Sequence, residues 1–139
     1  METFCVLSTS PRGTLDGLSI EAPRGAIPGH WTRGVGICEG GLRLQSCVIS
    51  APKESGGRAV VVDGPFSKPA IVGCQLSGGG DTVFWIRGAR GLVVGCTISG
   101  ARDAGLYLYG PSTAPLVASN AFRDSRRGIY IDGNPAWTA

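Results

Sequence analysis

The sequence predicts an all-β solenoid, and two ladders of recurring residues predict it. The first ladder is a heptad. Arg127-Gly128-Ile129-Tyr130-Ile131-Asp132-Gly133 is matched position for position by Arg58-Ala59-Val60-Val61-Val62-Asp63-Gly64. Looser copies begin at Arg33, Thr82 and Ala104. The fifth residues, Ile37, Val62, Ile86, Leu108 and Ile131, are separated by 25, 24, 22 and 23 residues. A period in the twenties is the signature of stacked structural repeats. The second ladder runs in phase with the first. Cys47, Cys74, Cys96 and Asn120 follow one another at steps of 27, 22 and 24 residues, with apolar residues at matching offsets on either side. No segment keeps a helical period over several turns, whereas apolar and polar residues alternate over four to six positions throughout.

In chain order, residues 1–31 fit the repeat poorly and are expected to be an irregular N-terminal segment. Leu15 to Glu21 would form one strand of an incomplete first turn, with a loop through Pro23, Gly25, Pro28 and Gly29. Residues 32–139 are expected to be regular turns. Each has a long strand, a corner, a short strand, a tight corner at the Cys or Asn, a second short strand and a loop. The loops vary, from 51–57 as the longest to the compact 77–80, 99–102 and 123–126. No new turn begins after Asp132, so the C-terminal end is expected to be uncapped. Such an edge calls for a partner chain, end-to-end self-association or a longer parent chain.

Composition agrees. The 139 residues suit one domain, 42% hydrophobic content can fill a continuous core, and 23 Gly with 9 Pro make a turn-rich chain. The net charge of +3 is spread along the chain, without the clustered basic face that nucleic acid requires. No apolar run is long enough to span a bilayer as a helix, so no membrane partner is expected. The start lacks the basic and apolar regions of a secretory signal, so a cytoplasmic location is the expectation. Equivalent positions in neighbouring turns lie about 4.8 Å apart, within disulfide reach. The expectation for the Cys47, Cys74 and Cys96 ladder is nevertheless small, buried, reduced side chains stacked at a corner.

The pattern is carried most clearly by Gly91 to Gly100, Ala104 to Leu108, Ala114 to Phe122 and Gly128 to Ile131. It resembles the right-handed parallel β-helix repeat of pectate-lyase-like proteins, NosD-like proteins and β-helix F-box proteins. The five heptad copies give about five turns, and the resemblance implies three short parallel sheets and a corner ladder of Asn, Cys, Ser or Thr. Family enzymes act on acidic polysaccharides and family non-enzymes bind partners. No F-box occurs in this sequence, so a ubiquitin-ligase role is not carried over.

Candidate site residues follow from columns. If heptad residues three and five point inward, residues four and six face solvent. Position four then gives Trp85, Tyr107 and Tyr130 as an aromatic stripe. Position six gives Asp63, Arg87, Tyr109 and Asp132 as its polar border, a surface suited to a sugar ring or an extended peptide. One step before the strand, Asp81 and Asp103 fall in adjacent turns with Arg126 beyond them. Paired carboxylates there could hold Ca²⁺ or relay a proton, with Arg87 or Arg126 stabilising developing charge. Otherwise they are loop aspartates making turn hydrogen bonds. Asp63 and Asp132 are three turns apart, about 14 Å, too far for a glycosidase pair. The favoured reading is a non-catalytic recognition or scaffold module for a protein or glycan partner, requiring no cofactor. The alternatives are a polysaccharide lyase or glycoside hydrolase using the loop aspartates, and an architectural element of a larger assembly.

Overall fold

The computed structural model describes residues 2–23, 31–53 and 57–133. Sixteen strands and no helix occur among them. The strands wind through three parallel sheets in strict rotation. Sheet A stacks β1 (Glu2–Ser8), β4 (Trp31–Ile37), β7 (Gly57–Asp63), β10 (Val83–Ile86), β13 (Ala104–Tyr109) and β16 (Arg127–Asp132). Sheet B stacks β2 (Arg12–Asp16), β5 (Gly41–Gln45), β8 (Ala70–Val72), β11 (Leu92–Val94) and β14 (Leu116–Ala118). Sheet C stacks β3 (Ser19–Glu21), β6 (Val48–Ala51), β9 (Gln75–Gly78), β12 (Thr97–Ser99) and β15 (Ala121–Arg123). Every neighbouring pair within a sheet is parallel, as expected when one coil lies directly on the next.

The core is a column of inward side chains from all three sheets. Val35, Ile37, Leu44, Ile49, Val60, Val62, Ile71, Leu76, Val93, Ile98, Leu106 and Leu108 are fully buried. Each removes about 1.5–3 kcal/mol worth of apolar surface from water, which is the main force holding coil on coil.

The passage from sheet B to sheet C is uniform. Two residues make it in every coil, and the first adopts a left-handed backbone: Gly17, Ser46, Gly73, Gly95 and Ser119, with φ between 53° and 69°. Glycine reaches that region without steric penalty, which is why it occupies three of the five positions. The second residue of the corner is Leu18, Cys47, Cys74, Cys96 or Asn120. The thiols of Cys47, Cys74 and Cys96 are buried and directed at main-chain carbonyls, Cys74 towards Leu44 and Cys96 towards Ile71. Asn120 completes the ladder by accepting from the Cys96 N–H at 2.8 Å and donating to the Val93 carbonyl at 2.9 Å. All five cysteines are free thiols. The neighbouring Cys96 thiol and burial push the Cys74 thiol well above the usual range, so it stays protonated.

The N-terminal segment differs from the expectation of an irregular stretch with an incomplete turn. Residues 2–21 supply three strands, each in register with the next coil: Val6 opposite Val35, Leu15 opposite Leu44, Ile20 opposite Ile49. Val6, Leu15 and Ile20 provide the inward side chains, and Gly17-Leu18 makes the corner without a Cys or Asn. The coil was illegible because its corner lacks the ladder residue. The expected loop at residues 24–30 and the expected uncapped end at residues 134–139 lie outside the described residues.

Candidate functional site

The outer face of sheet A carries the concentration of aromatic and charged side chains, and one register shift decides which they are. Val83 pairs with Val60 and Leu106, and Trp85 with Val62 and Leu108. Trp85 therefore points inward, fully buried, its indole N–H donating to the Arg90 carbonyl at 3.1 Å. This corrects the expected stripe: Phe84, not Trp85, is the outward aromatic of this coil. The turn of residues 79–82 is one residue shorter than the heptad comparison assumed. A shift of one residue exchanges the two faces of a strand. Val83-Phe84-Trp85-Ile86 is apolar throughout, so alternation gave no warning. The shift also places Ile86 in the border column beside Asp63, Tyr109 and Asp132. Arg87 lies in the following turn, at φ 54°.

The observed ladder is Phe84, Tyr107 and Tyr130, in direct register across three coils. Ring centroids are 5.1 Å apart between Phe84 and Tyr107, and 4.8 Å between Tyr107 and Tyr130, with interplanar angles of 62° and 51°. These are edge and tilted contacts, the arrangement the aromatic quadrupole favours. Two guanidinium groups close on the ladder, Arg58 at 4.2 Å from the Phe84 centroid and Arg127 at 4.3 Å from that of Tyr130. Towards the N-terminal coil the same column continues as Val61 and Gly36. A side chain at Gly36 would collide with the Phe4 ring, which occupies that space.

Charged groups fix the border. Arg87 forks onto Asp63, Nε to Oδ1 at 2.6 Å and Nη2 to Oδ2, across adjacent coils. The Tyr107 hydroxyl donates to Asp132 Oδ2 at 3.2 Å. Desolvation, reinforced by that carboxylate, pushes the Tyr107 phenol up to about 12, so it remains a neutral donor at physiological pH. Val61, Phe84 and Ile86 floor a groove of about 290 Å³, with the Asp63–Arg87 pair and the half-exposed Tyr109 at its rim.

The loop aspartates do not share one column. Asp81 stands opposite Arg58 and is buried, with Oδ2 3.2 Å from Arg58 Nη2 and Oδ1 accepting from the Ala104 N–H at 3.1 Å. Asp103 is half-exposed and faces Arg127, Oδ1 to Nε at 3.5 Å. The two carboxylates thus turn to different cations, and Asp81 accepts a backbone N–H as a loop aspartate does, the favoured reading of the sequence over a carboxylate pair. They do line one cleft, together with Gly80, Arg102 and Arg126. Among the described residues, no three His, Cys, Asp or Glu side chains converge as a metal site would require.

Residues 27–138 match the family described as "Right handed beta helix region". The chain belongs to that family. The β-helix identity accounts for the three-sheet coil, the uniform corner and the stacked columns together. Neither the curated proteins nor the solved structures contain a match.

Sequence reasoning found Tyr107, Tyr130, Tyr109, Asp63 and Asp132 on this β-helix face and missed Phe84, Arg58 and Arg127. A signal for the arginines was present. Arg33, Arg58 and Arg127 open three of the heptads, a recurrence at one position that marks a column of cations.

Proposed function

We propose that this β-helix is a non-catalytic recognition or scaffold module, holding an extended partner along the outer face of sheet A. The observation that carries the reading is the Phe84–Tyr107–Tyr130 ladder, continuous over three coils, bordered by arginines and carboxylates and adjoined by a groove. Aromatic and arginine side chains contribute most to contact surfaces because they bury much area with little loss of conformational freedom. The character of the ladder favours a protein segment over a sugar. Flat stacking of a pyranose needs an open ring face, whereas Arg58 and Arg127 lie over Phe84 and Tyr130 and the rings meet at steep angles.

Support for a polysaccharide lyase or hydrolase is weaker. Asp81 is held by Arg58 and the Ala104 N–H, so it is poorly placed to accept a substrate proton. The test is selection from a displayed peptide library and a glycan array, followed by Tyr107→Ala and Tyr130→Ala. Each substitution should weaken the selected ligand about ten-fold or more while leaving the fold intact. Val48→Ser on sheet C should change nothing. Ligands that bind both tyrosine variants unchanged would remove this surface from the reading. Turnover of a uronate polymer that disappears in Asp103→Asn would replace the module with the enzyme.

A further inference from the structure

The cleft at the passage from sheet C to sheet A has the opposite electrostatic character from the one its aspartates suggest. Gly80, Asp81, Arg102, Asp103 and Arg126 line a space of about 290 Å³. Both carboxylates are already engaged, Asp81 by Arg58 and Asp103 by Arg127. Arg102 and Arg126 are exposed, and among the described residues neither side chain has an ion-pair or hydrogen-bond partner. The two carboxylates of the lining are matched by Arg58 and Arg127 from outside it, so the guanidinium groups of Arg102 and Arg126 are not neutralised by the cleft's own acids.

The backbone beneath them is hydrogen-bonded from coil to coil. Arg102 N–H donates to the Gly79 carbonyl at 2.9 Å, Asp103 N–H to Gly80 at 2.7 Å, and Arg127 N–H to Asp103 at 2.9 Å. Ala101 N–H donates to the Ser125 hydroxyl at 3.1 Å. Three successive corners are thereby tied into one stack, and Arg102 and Arg126 rise from neighbouring layers of it. Anchored arginines need to order only their own side chains to grip an anion, and a guanidinium fork matches the oxygen geometry of carboxylate, sulfate and phosphate.

We propose that this cleft binds an oxyanionic group, a carboxylate or a sulfate or phosphate ester, between Arg102 and Arg126. The site adjoins the aromatic ladder, but its proposed contacts, Arg102 and Arg126, are not part of that ladder, so it stands or falls separately from the sheet A reading. Its test is titration of the full chain with sodium sulfate, sodium phosphate and sodium acetate at constant ionic strength. Sodium chloride is the blank, and the arginine Nε–Hε resonances are followed by NMR. The three arms separate the tetrahedral anions from the carboxylate. A saturable shift confined to Arg102 and Arg126 is expected with at least one of them. Arg102→Gln and Arg126→Gln should each weaken it about ten-fold, since both ends of the fork are needed. Arg12→Gln, on sheet B, should leave it unchanged. Shifts that never saturate, that spread over all exposed arginines, or that survive both substitutions would overturn the assignment. A saturable response to calcium chloride would overturn it as well.

Discussion

The two corners that flank sheet C are built on opposite principles. From sheet B to sheet C every coil takes two residues, a left-handed one and then Leu18, Cys47, Cys74, Cys96 or Asn120. From sheet C to sheet A the path changes length from coil to coil and carries Asp81, Arg102, Asp103 and Arg126. The first corner is repeated because it must stack: any change of length would displace a whole column of inward side chains. The second lies where the coil can widen without disturbing its neighbours, so charge and variation collect there. In a solenoid, uniform positions maintain the stack and variable ones are free to meet other molecules.

The largest effect that sharpens this contrast comes from the strand that follows the variable corner. Trp85→Ala should destabilise the chain by about 3–5 kcal/mol, because it opens a cavity within a fully packed column. Phe84→Ala, one residue away on the outer face, should lose well under half as much in the same urea titration. Equal losses would mean that the register deduced for β10 is wrong. Next comes the buried pair beneath the variable corner. Asp81→Ala removes a buried carboxylate that pairs with Arg58 and accepts from the Ala104 N–H, and should lower stability by about 3 kcal/mol, whereas Arg87→Gln, which breaks an exposed pair, should change it by about 1 kcal/mol or less.

The uniform corner gives a smaller effect of predictable sign. Gly73→Ala and Gly95→Ala force a side chain into the left-handed region and should destabilise by about 1 kcal/mol each. Ser46→Gly and Ser119→Gly relieve the same strain and should raise the midpoint of thermal unfolding. If the serine substitutions lower it instead, the strain account of this corner fails. The smallest effect is alkaline. Tyr107 has its pKa raised from an unfolded value near 10 to about 12. The contribution linked to its neutral phenol is complete below pH 10 and is lost as pH rises through 12. Stability of the wild-type chain should fall across that window, and Tyr107→Phe should flatten the slope there.

How much of this was legible depends on what repeats. The Cys–Cys–Cys–Asn series and the heptads beginning at Arg58 and Arg127 stand at near-constant spacing, and from them the coil, the parallel sheets and the inward columns follow. Tyr107, Tyr130, Asp63 and Asp132 were placed on the outer face for the same reason. Trp85 was misplaced because its strand is four apolar residues long, and a fully apolar strand carries no information about which side is buried. Whether Asp81 and Asp103 share a column was illegible for a related reason. Both residues lie within a corner whose length varies from coil to coil, and a single residue moves a carboxylate from one neighbour to another.

The sequence by itself determined the periodic architecture, since spacing alone identifies which segments stack and hydrophobic alternation identifies most of what faces inward. Only the tertiary structure decided the identity of the outward surface: Phe84 for Trp85, Ile86 for Arg87, and Arg58 and Arg127 as the partners of the aspartates. Backbone hydrogen bonding between coils sets the register to the single residue, and on a strand a single residue is the difference between the core and the surface.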